Sequence, residues 1–162
     1  MKGIVGDDEI LADGIPQIAF IGRRTSSFPG RTQEINIFLI NNAFYLVDLP
    51  GYGFARASGL GREKIGELID SYLFNSIYTQ KKVVMIIDAG VGMTDKDILM
   101  LNELRNHHKD FIIVANKTDK LKQSDYHKKM AEIKKVVGDH PIIPFSNKTR
   151  KGVLTLVDEI FK

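Results

Sequence analysis

Six short runs of apolar, largely β-branched residues recur along this 162-residue chain and constrain its fold more than any other feature. Most are continuous hydrophobic stretches, which are typical of strands covered on both faces of a sheet. They predict strands over Gln17–Gly22, Ile35–Ile40, Phe44–Asp48, Val83–Asp88, Phe111–Asn116 and Pro141–Phe145. Asn41 and Asn42 tolerate positive φ, so they predict a hairpin turn between the second and third strands.

Segments with helical periodicity alternate with the later strands. They predict helices over Arg62–Tyr78, Asp95–Asn106, Ser124–Val136 and Val153–Phe161. Thr94 and Ser124 are the expected N-cap residues of two of these helices. Because strand–helix alternation requires right-handed crossovers, it favours a mostly parallel sheet. We therefore expect a three-layer α/β fold in one domain over residues 1–162, with a six-stranded, mostly parallel sheet and one antiparallel hairpin strand.

Composition narrows the class of protein. The chain is 43% hydrophobic and 27% charged, has no cysteine and carries a formal net charge of +3. These values are ordinary for a soluble globular domain, and no apolar run approaches the length of a membrane span. We expect a cytoplasmic protein with no membrane or DNA partner. The mildly basic charge permits contacts with RNA phosphates.

Polar motifs follow several predicted strands, and ligands of such sheets bind beyond the carboxyl ends of the strands. Asp48–Gly51 reads DLPG. A carboxylate there could orient a Mg²⁺-bound water, and a glycine N–H could meet a terminal phosphate. The same four residues also suit an ordinary turn, so this motif alone leaves both interpretations open.

Asn116–Asp119 reads NKTD and follows another apolar strand. A carboxylate such as Asp119 can accept hydrogen bonds from the N1–H and exocyclic amine of guanine, while the Lys117 stem lies along the base. Ser146–Lys148, after the last strand, could offer a backbone N–H to the guanine O6. A solvated polar loop is the alternative interpretation of the NKTD motif.

The stretch between Gly22 and Ile35 lacks the helix that a regular α/β chain would place there. It has no helical periodicity, and Pro29-Gly30 would interrupt a helix. The sequence thus predicts a fold whose first helix is absent. We expect apolar residues of the first long strand and its neighbours to be partly exposed as a result, with lower stability or self-association.

The order of the motifs PGRTQ, DLPG, NKTD and SNK resembles that of translation-factor-like GTPases, and within them the EngB family. The resemblance extends from about Lys2 to Phe161. It is carried by PGRTQEIN, FYLVDLPGYGFA, LIDSYLFNS, VGMTDKDILML and NKTDKLKQSDYHKKM. It implies a protein that binds GTP and GDP, acts in assembly of the large ribosomal subunit or on its rRNA, and is needed for normal division-septum formation.

The resemblance also implies binding residues, position by position. The first switch of the family corresponds to Gly30, Arg31, Thr32, Gln33 and Glu34, and the phosphate motif of its second switch corresponds to Asp48, Leu49, Pro50 and Gly51. The guanine-reading motif corresponds to Asn116, Lys117, Thr118 and Asp119, and the last base-contacting segment corresponds to Phe145, Ser146 and Asn147. Thr32 and Asp48 are the implied metal contacts, so the implied cofactor is Mg²⁺ with GTP or GDP. Arg150 stands where the family has glycine, and we expect a small change in that loop.

The chain departs from the family after Gly22-Arg23, where the phosphate loop G-x-x-x-x-G-K-[ST] and the following helix are missing. The missing loop would supply backbone N–H groups, a lysine and a Mg²⁺-ligating hydroxyl. Losing three hydrogen bonds to charged groups removes roughly 5–9 kcal/mol, or about three to six powers of ten in affinity. Tyr52 stands where many GTPases place a water-orienting glutamine, so no catalytic residue is nominated and hydrolysis should be slow.

Three functions remain open on these observations. The first is an EngB-type GTP-binding protein with weakened nucleotide affinity. The second is a nucleotide-independent scaffold that binds pre-ribosomal RNA or protein. The third is an internal-deletion variant without a function of its own. Lysines and arginines flanking the guanine motif suit an RNA partner, although they also suit a solvated surface.

Overall fold

The computed structural model describes residues 2–4, 13–23, 34–52, 59–75 and 80–162. The strands are β1 (Lys2–Ile4), β2 (Gln17–Gly22), β3 (Ile35–Ile40), β4 (Phe44–Asp48), β5 (Gln80–Asp88), β6 (Phe111–Asn116) and β7 (Ile142–Pro144). The helices are α1 (Gly59–Leu73), α2 (Asp95–Asn106), α3 (Gln123–Val137) and α4 (Val153–Phe161). The predicted mixed α/β fold, with a mostly parallel sheet and one antiparallel hairpin, is confirmed. The expected absence of a first helix concerns residues that lie outside the described ranges.

Contacts divide the chain into two compact units, Met1–Val83 and Val84–Lys162. The single domain expected from the sequence stays a prediction. No helix within the described ranges has both the length and the apolar character that crossing a membrane requires.

Some boundaries differ from the predicted ones. β5 begins at Gln80 rather than Val83 because Gln80 and Lys82 are buried despite their polarity, and Gln80 Nε2 donates to the Tyr72 carbonyl at 2.9 Å. α1 ends at Leu73 rather than Tyr78, where the Phe74 and Asn75 N–H groups both turn back to the Asp70 carbonyl. β7 is shorter than predicted by one residue at each end.

In the first unit the strand order is β1-β3-β4-β2. β3 and β4 are antiparallel, and the predicted turn between them is confirmed, since Asn41 and Asn42 have φ values of 49° and 54°. β2 is parallel to β4 and pairs Phe20 with Asp48. β1, antiparallel to β3, is a seventh strand that the sequence did not predict because three residues are too few to show periodicity.

The expected exposure of the first long strand is wrong. Ile18, Ala19 and Ile21 of β2 are buried. The Tyr72 hydroxyl donates to Gln17 Oε1 at 2.8 Å, which places the end of α1 beside the start of β2. Apolar exposure is found instead on β3, which β4 separates from β2, where Phe38 and Leu39 are 36% and 44% exposed. The prediction of lower stability or self-association stays a prediction.

In the second unit the strand order is β5-β6-β7, and β6 and β7 are parallel. Thr94 caps α2 as predicted, with a reciprocal pair of bonds to Asp97. The predicted Ser124 cap is wrong, because α3 begins one residue earlier and Lys122 occupies the N-cap position. Ser124 Oγ lies instead 3.3 Å from the Asp125 carboxylate on the exposed helix surface.

Candidate nucleotide-binding site

The ends of the three strands of the second unit meet at one edge. The Ala89 N–H, just after β5, donates to the Asn116 carbonyl at the end of β6 at 2.8 Å. The Phe145 N–H, just after β7, donates to the Ala115 carbonyl at 2.9 Å. The segments that carry NKTD and SNK are therefore neighbours in space, as the parallel order of β6 and β7 requires.

Thr118 fixes the NKTD loop to the end of β7. This residue is buried, and both its N–H and its Oγ1 donate to the Phe145 carbonyl, at 3.1 Å and 2.9 Å. Thr118 opens a short 3₁₀ turn, Thr118–Lys120. Before it, Lys117 has a left-handed backbone with φ of 64°, and its N–H donates to Asn116 Oδ1 at 2.7 Å. The loop is thus held on both sides of its lysine.

Asp119 is oriented by a buried serine. Ser146 Oγ donates to Asp119 Oδ1 at 2.6 Å, and the same hydroxyl accepts from the Thr149 N–H at 3.1 Å. The Ser146 hydrogen bond, aided by the charge of Lys148, holds the pKa of Asp119 below its ordinary value. An exposed, ionised carboxylate accepts hydrogen bonds only, so Asp119 suits a ligand edge that carries N–H donors.

Lys117 pairs with a carboxylate that lies outside the motifs predicted from the sequence. Lys117 Nζ lies 2.8 Å from Asp88 Oδ2, at the end of β5. Burial would raise the pKa of Asp88, but the hydrogen bonds from Lys117 and from the Gly90 N–H outweigh it and lower this pKa below its usual value. The one sequence signal for Asp88 is an acidic residue closing the apolar run VVMII.

The loop after Ser146 has an unusual backbone. Arg150, where the resembling family has glycine, has a positive φ of 57°. The Ser146 N–H donates to the Lys151 carbonyl at 3.1 Å, which closes the loop into a short bridge. Asn147, Lys148 and Arg150 are exposed, so this loop presents polar and positive side chains beside the Asp119 carboxylate.

The DLPG motif belongs to the first unit. Asp48 ends β4 with its side chain exposed, and the Leu49 N–H donates to the Phe20 carbonyl at 2.9 Å. Leu49, Pro50 and Gly51 are buried, so the turn is part of the core while the carboxylate faces solvent.

Few of the other implied switch and metal residues fall within the described ranges. Glu34, at the start of β3, is exposed, whereas Gly30, Arg31, Thr32 and Gln33 lie outside them. Of the two implied Mg²⁺ contacts, the structure therefore describes Asp48 alone. Within those ranges no three His, Asp or Glu side chains converge as metal ligands would.

Known proteins resemble this chain over most of its length. Residues 15–160 match the family model described as ferrous iron transport protein B. The chain is 34% identical to the probable GTP-binding protein EngB of Clostridium perfringens over 92% of its own length and 86% of that protein. It is 42% identical to the corresponding protein of Kosmotoga olearia, over 82% of its own length and 71% of that protein.

Solved structures share the fold. A probable GTP-binding protein engB superposes with a TM-score of 0.74 at 20% identity, covering 90% of this chain and 96% of the other. Era in complex with MgGDPNP and a 16S ribosomal RNA segment superposes with a TM-score of 0.68 at 18% identity, covering 90% of this chain and 55% of that one. The chain therefore belongs to the family of EngB GTP-binding proteins, and it also belongs to the family whose model is described as ferrous iron transport protein B.

Proposed function

We propose that this chain binds guanine nucleotides mainly through the base, with weakened affinity for the phosphates. The observation that carries the proposal is the Ser146–Asp119 hydrogen bond of 2.6 Å, which sets an ionised carboxylate at the edge where three strands end. Guanine presents two adjacent N–H donors to such a carboxylate, whereas adenine does not. A site built to pair with such donors rejects a ligand that lacks them, because its acceptor is left unpaired when the ligand covers it.

The part of the site that would bind the phosphates lacks residues in this chain. The alignment with the C. perfringens protein spans 171 positions but includes 92% of the 162 residues here, about 149, so about 22 positions have no counterpart in this chain. The sequence lacks a phosphate loop after Arg23, and this difference supports an internal loss of that segment. We expect the energetic cost to fall on triphosphate and diphosphate affinity more than on base recognition.

Mg²⁺ fits the remaining residues only when it binds together with the nucleotide. Asp48 is exposed at a strand end and can hold one position, directly or through water, and Thr32 would add a second. Mg²⁺ characteristically keeps several waters and binds through one or two protein groups plus substrate phosphates. When bound, it would neutralise phosphate charge. The expected affinity for Mg²⁺ without nucleotide is therefore low.

We further propose a role in assembly of the large ribosomal subunit in the cytoplasm, and through it in normal septum formation. Support comes from membership of the EngB family and from exposed basic residues around the guanine motif: Lys120, Lys122, Lys148, Arg150 and Lys151. Exposed lysines and arginines bind RNA by neutralising phosphates, with an affinity that falls as salt rises. The likeness to Era bound to rRNA concerns the fold alone.

A second candidate is a nucleotide-independent scaffold that binds pre-ribosomal RNA or protein. The missing phosphate loop favours it, because the same basic residues could bind RNA without any nucleotide. An internal-deletion variant without function is the third possibility. Association with ribosomal particles would exclude this third case, and dependence of that association on GTP would separate the first from the second.

The decisive experiment is a titration of the purified chain with fluorescent GDP and GTP, with and without Mg²⁺, and with ATP and guanosine as competitors. Saturable binding that guanosine, but not ATP, displaces supports the proposal. No saturation at millimolar nucleotide overturns it in favour of a scaffold. Asp119→Asn should lose guanine binding, because an amide N–H₂ would face the base amine. The matched control is Asp125→Asn, an exposed carboxylate on α3.

A further inference from the structure

We infer that Asp88 is a positioning residue for guanine recognition, which holds the Lys117 side chain where its methylene stem can lie along the base. The inference rests on the proposed function and adds a residue outside the motifs that suggested it. Asp88 lies 29 positions before Lys117 in the sequence, and the two meet because β5 and β6 end at the same edge.

Asp88 is itself held in place. Its Oδ1 accepts from the Gly90 N–H at 2.9 Å, with the Val91 N–H at 3.4 Å, and its Oδ2 lies 2.8 Å from Lys117 Nζ. The side chain is 16% exposed, so bulk water competes little with these partners. A carboxylate fixed by a turn and by backbone N–H groups is a rigid anchor for a flexible cation.

The Lys117 side chain needs such an anchor more than its backbone does. Its backbone direction is set by the left-handed φ of 64° and by the bond from its N–H to Asn116 Oδ1, but a lysine side chain has four further rotatable bonds. The ion pair with Asp88 restricts them before a ligand arrives, which lowers the entropy lost on binding. A lysine stem can cover apolar surface while its charged end stays paired.

The test is a double-mutant cycle measured with fluorescent GDP and unlabelled guanosine. Asp88→Asn keeps the size of the side chain and an acceptor for the Gly90 N–H but removes the charge. We expect it to weaken guanosine and GDP binding about three- to tenfold, since restricting a side chain and pairing its charge each contribute modestly. Lys117→Met should weaken binding as well, and the double variant should bind no worse than Lys117→Met alone. Asp95→Asn, an exposed carboxylate on α2, should match the wild type.

A second readout separates positioning from a merely structural role. With ¹³C-labelled lysine, the Lys117 ε-methylene should show restricted motion in the nucleotide-free wild type and faster motion in Asp88→Asn, both measured at a temperature where the two proteins are fully folded. If Asp88→Asn fails to fold, Asp88→Glu keeps the charge on a longer arm and should give a smaller loss of affinity.

The outcomes distinguish the two proposals. A wild-type chain that binds neither guanosine nor GDP overturns the proposed function and this inference together. A wild-type chain that binds guanosine while Asp88→Asn binds equally well, or while the two losses of affinity add in the double variant, overturns this inference alone. Weakened binding, non-additive losses and released Lys117 motion together support it.

Discussion

Ser146 Oγ donates a hydrogen bond of 2.6 Å to Asp119 Oδ1, although the two residues are 27 positions apart in the sequence. Ser146 is fully buried and Asp119 is exposed, so a core hydroxyl orients a surface carboxylate. The same hydroxyl accepts from the Thr149 N–H, which fixes its own direction. The orientation of the Asp119 carboxylate therefore depends on the hydroxyl of a buried residue, Ser146.

Ser146→Ala should weaken GDP binding about tenfold, because one hydrogen bond to a charged group is lost. The pKa of Asp119 should rise toward its ordinary value, since the Ser146 hydrogen bond is the largest cause of its lowering. Fluorescent GDP titration measures the first effect and ¹³C NMR of the Asp119 carboxyl the second. Ser124→Ala, an exposed serine on α3, is the control. Unchanged GDP affinity in Ser146→Ala would contradict this role.

Much of the fold follows from short-range physics that the sequence displays directly. Continuous apolar runs identified β2 to β7, and the positive φ that asparagine tolerates identified the turn at Asn41-Asn42. The prediction that polar motifs follow the ends of these strands needs only the position of NKTD and SNK after apolar runs, and the parallel pairing of β6 and β7 brings the two segments together. These features need only local periodicity, turn chemistry and sheet topology.

Other features could not be found this way because they depend on partners distant in the sequence. The role of Asp88 could not be predicted because it depends on the Lys117 ammonium, which lies beside the Asp88 carboxylate only in the folded chain. β1 is three residues long and exists by pairing with β3. β2 is buried although the helix expected to cover it is missing from the sequence, and α1 places Tyr72 beside its first residue. Ser124 looked like a cap, but the helix starts before it.

Gly152→Ala should destabilise the chain by at least about 2 kcal/mol, from left-handed strain and overpacking combined. Gly152 has φ of 83°, and an added Cβ would lie 2.3 Å from the Pro144 carbonyl oxygen, a backbone atom that cannot move aside easily. Urea unfolding measures the change. Gly66→Ala in α1 is the matched control, because nothing lies within 4 Å of its Cβ position. That control should gain about 0.5–1 kcal/mol from helix propensity, so equal effects would refute the explanation.

Arg150→Gly should stabilise the chain by about 0.5–1 kcal/mol. The arginine has φ of 57°, a conformation that costs a residue with a Cβ roughly 1–2 kcal/mol, and the greater freedom of glycine in the unfolded chain offsets part of the gain. Thermal and urea unfolding measure the difference. Lys148→Gly, in the same exposed loop, controls for the loss of a positive charge. A destabilised Arg150→Gly would show that the arginine side chain contributes more than its backbone costs.

Acid should remove the stabilising contribution of the Asp88–Lys117 pair. The folded-state pKa of Asp88 is depressed, so this contribution is complete above the ordinary aspartate pKa, about 3.9, and is lost as pH falls through the lower folded value. The difference in free energy of unfolding between wild type and Asp88→Asn should thus be constant near neutral pH and shrink below about pH 4. Urea unfolding at a series of pH values measures this difference. A difference that persists unchanged into acid would mean that the charge of Asp88 is not its source.

Insertion of a phosphate loop and its following helix after Arg23 should raise GDP affinity by about three to six powers of ten, while guanosine affinity changes little. The reason is that the added backbone N–H groups, lysine and hydroxyl would contact phosphates and Mg²⁺, whereas the contacts proposed for the base lie in the Asn116–Asp119 and Ser146 segments. Parallel titrations with guanosine, GDP and GTP separate the two contributions, and an inserted loop whose lysine is replaced by alanine is the control. An equal gain for guanosine would instead mean that the missing helix limits folding of the base site itself.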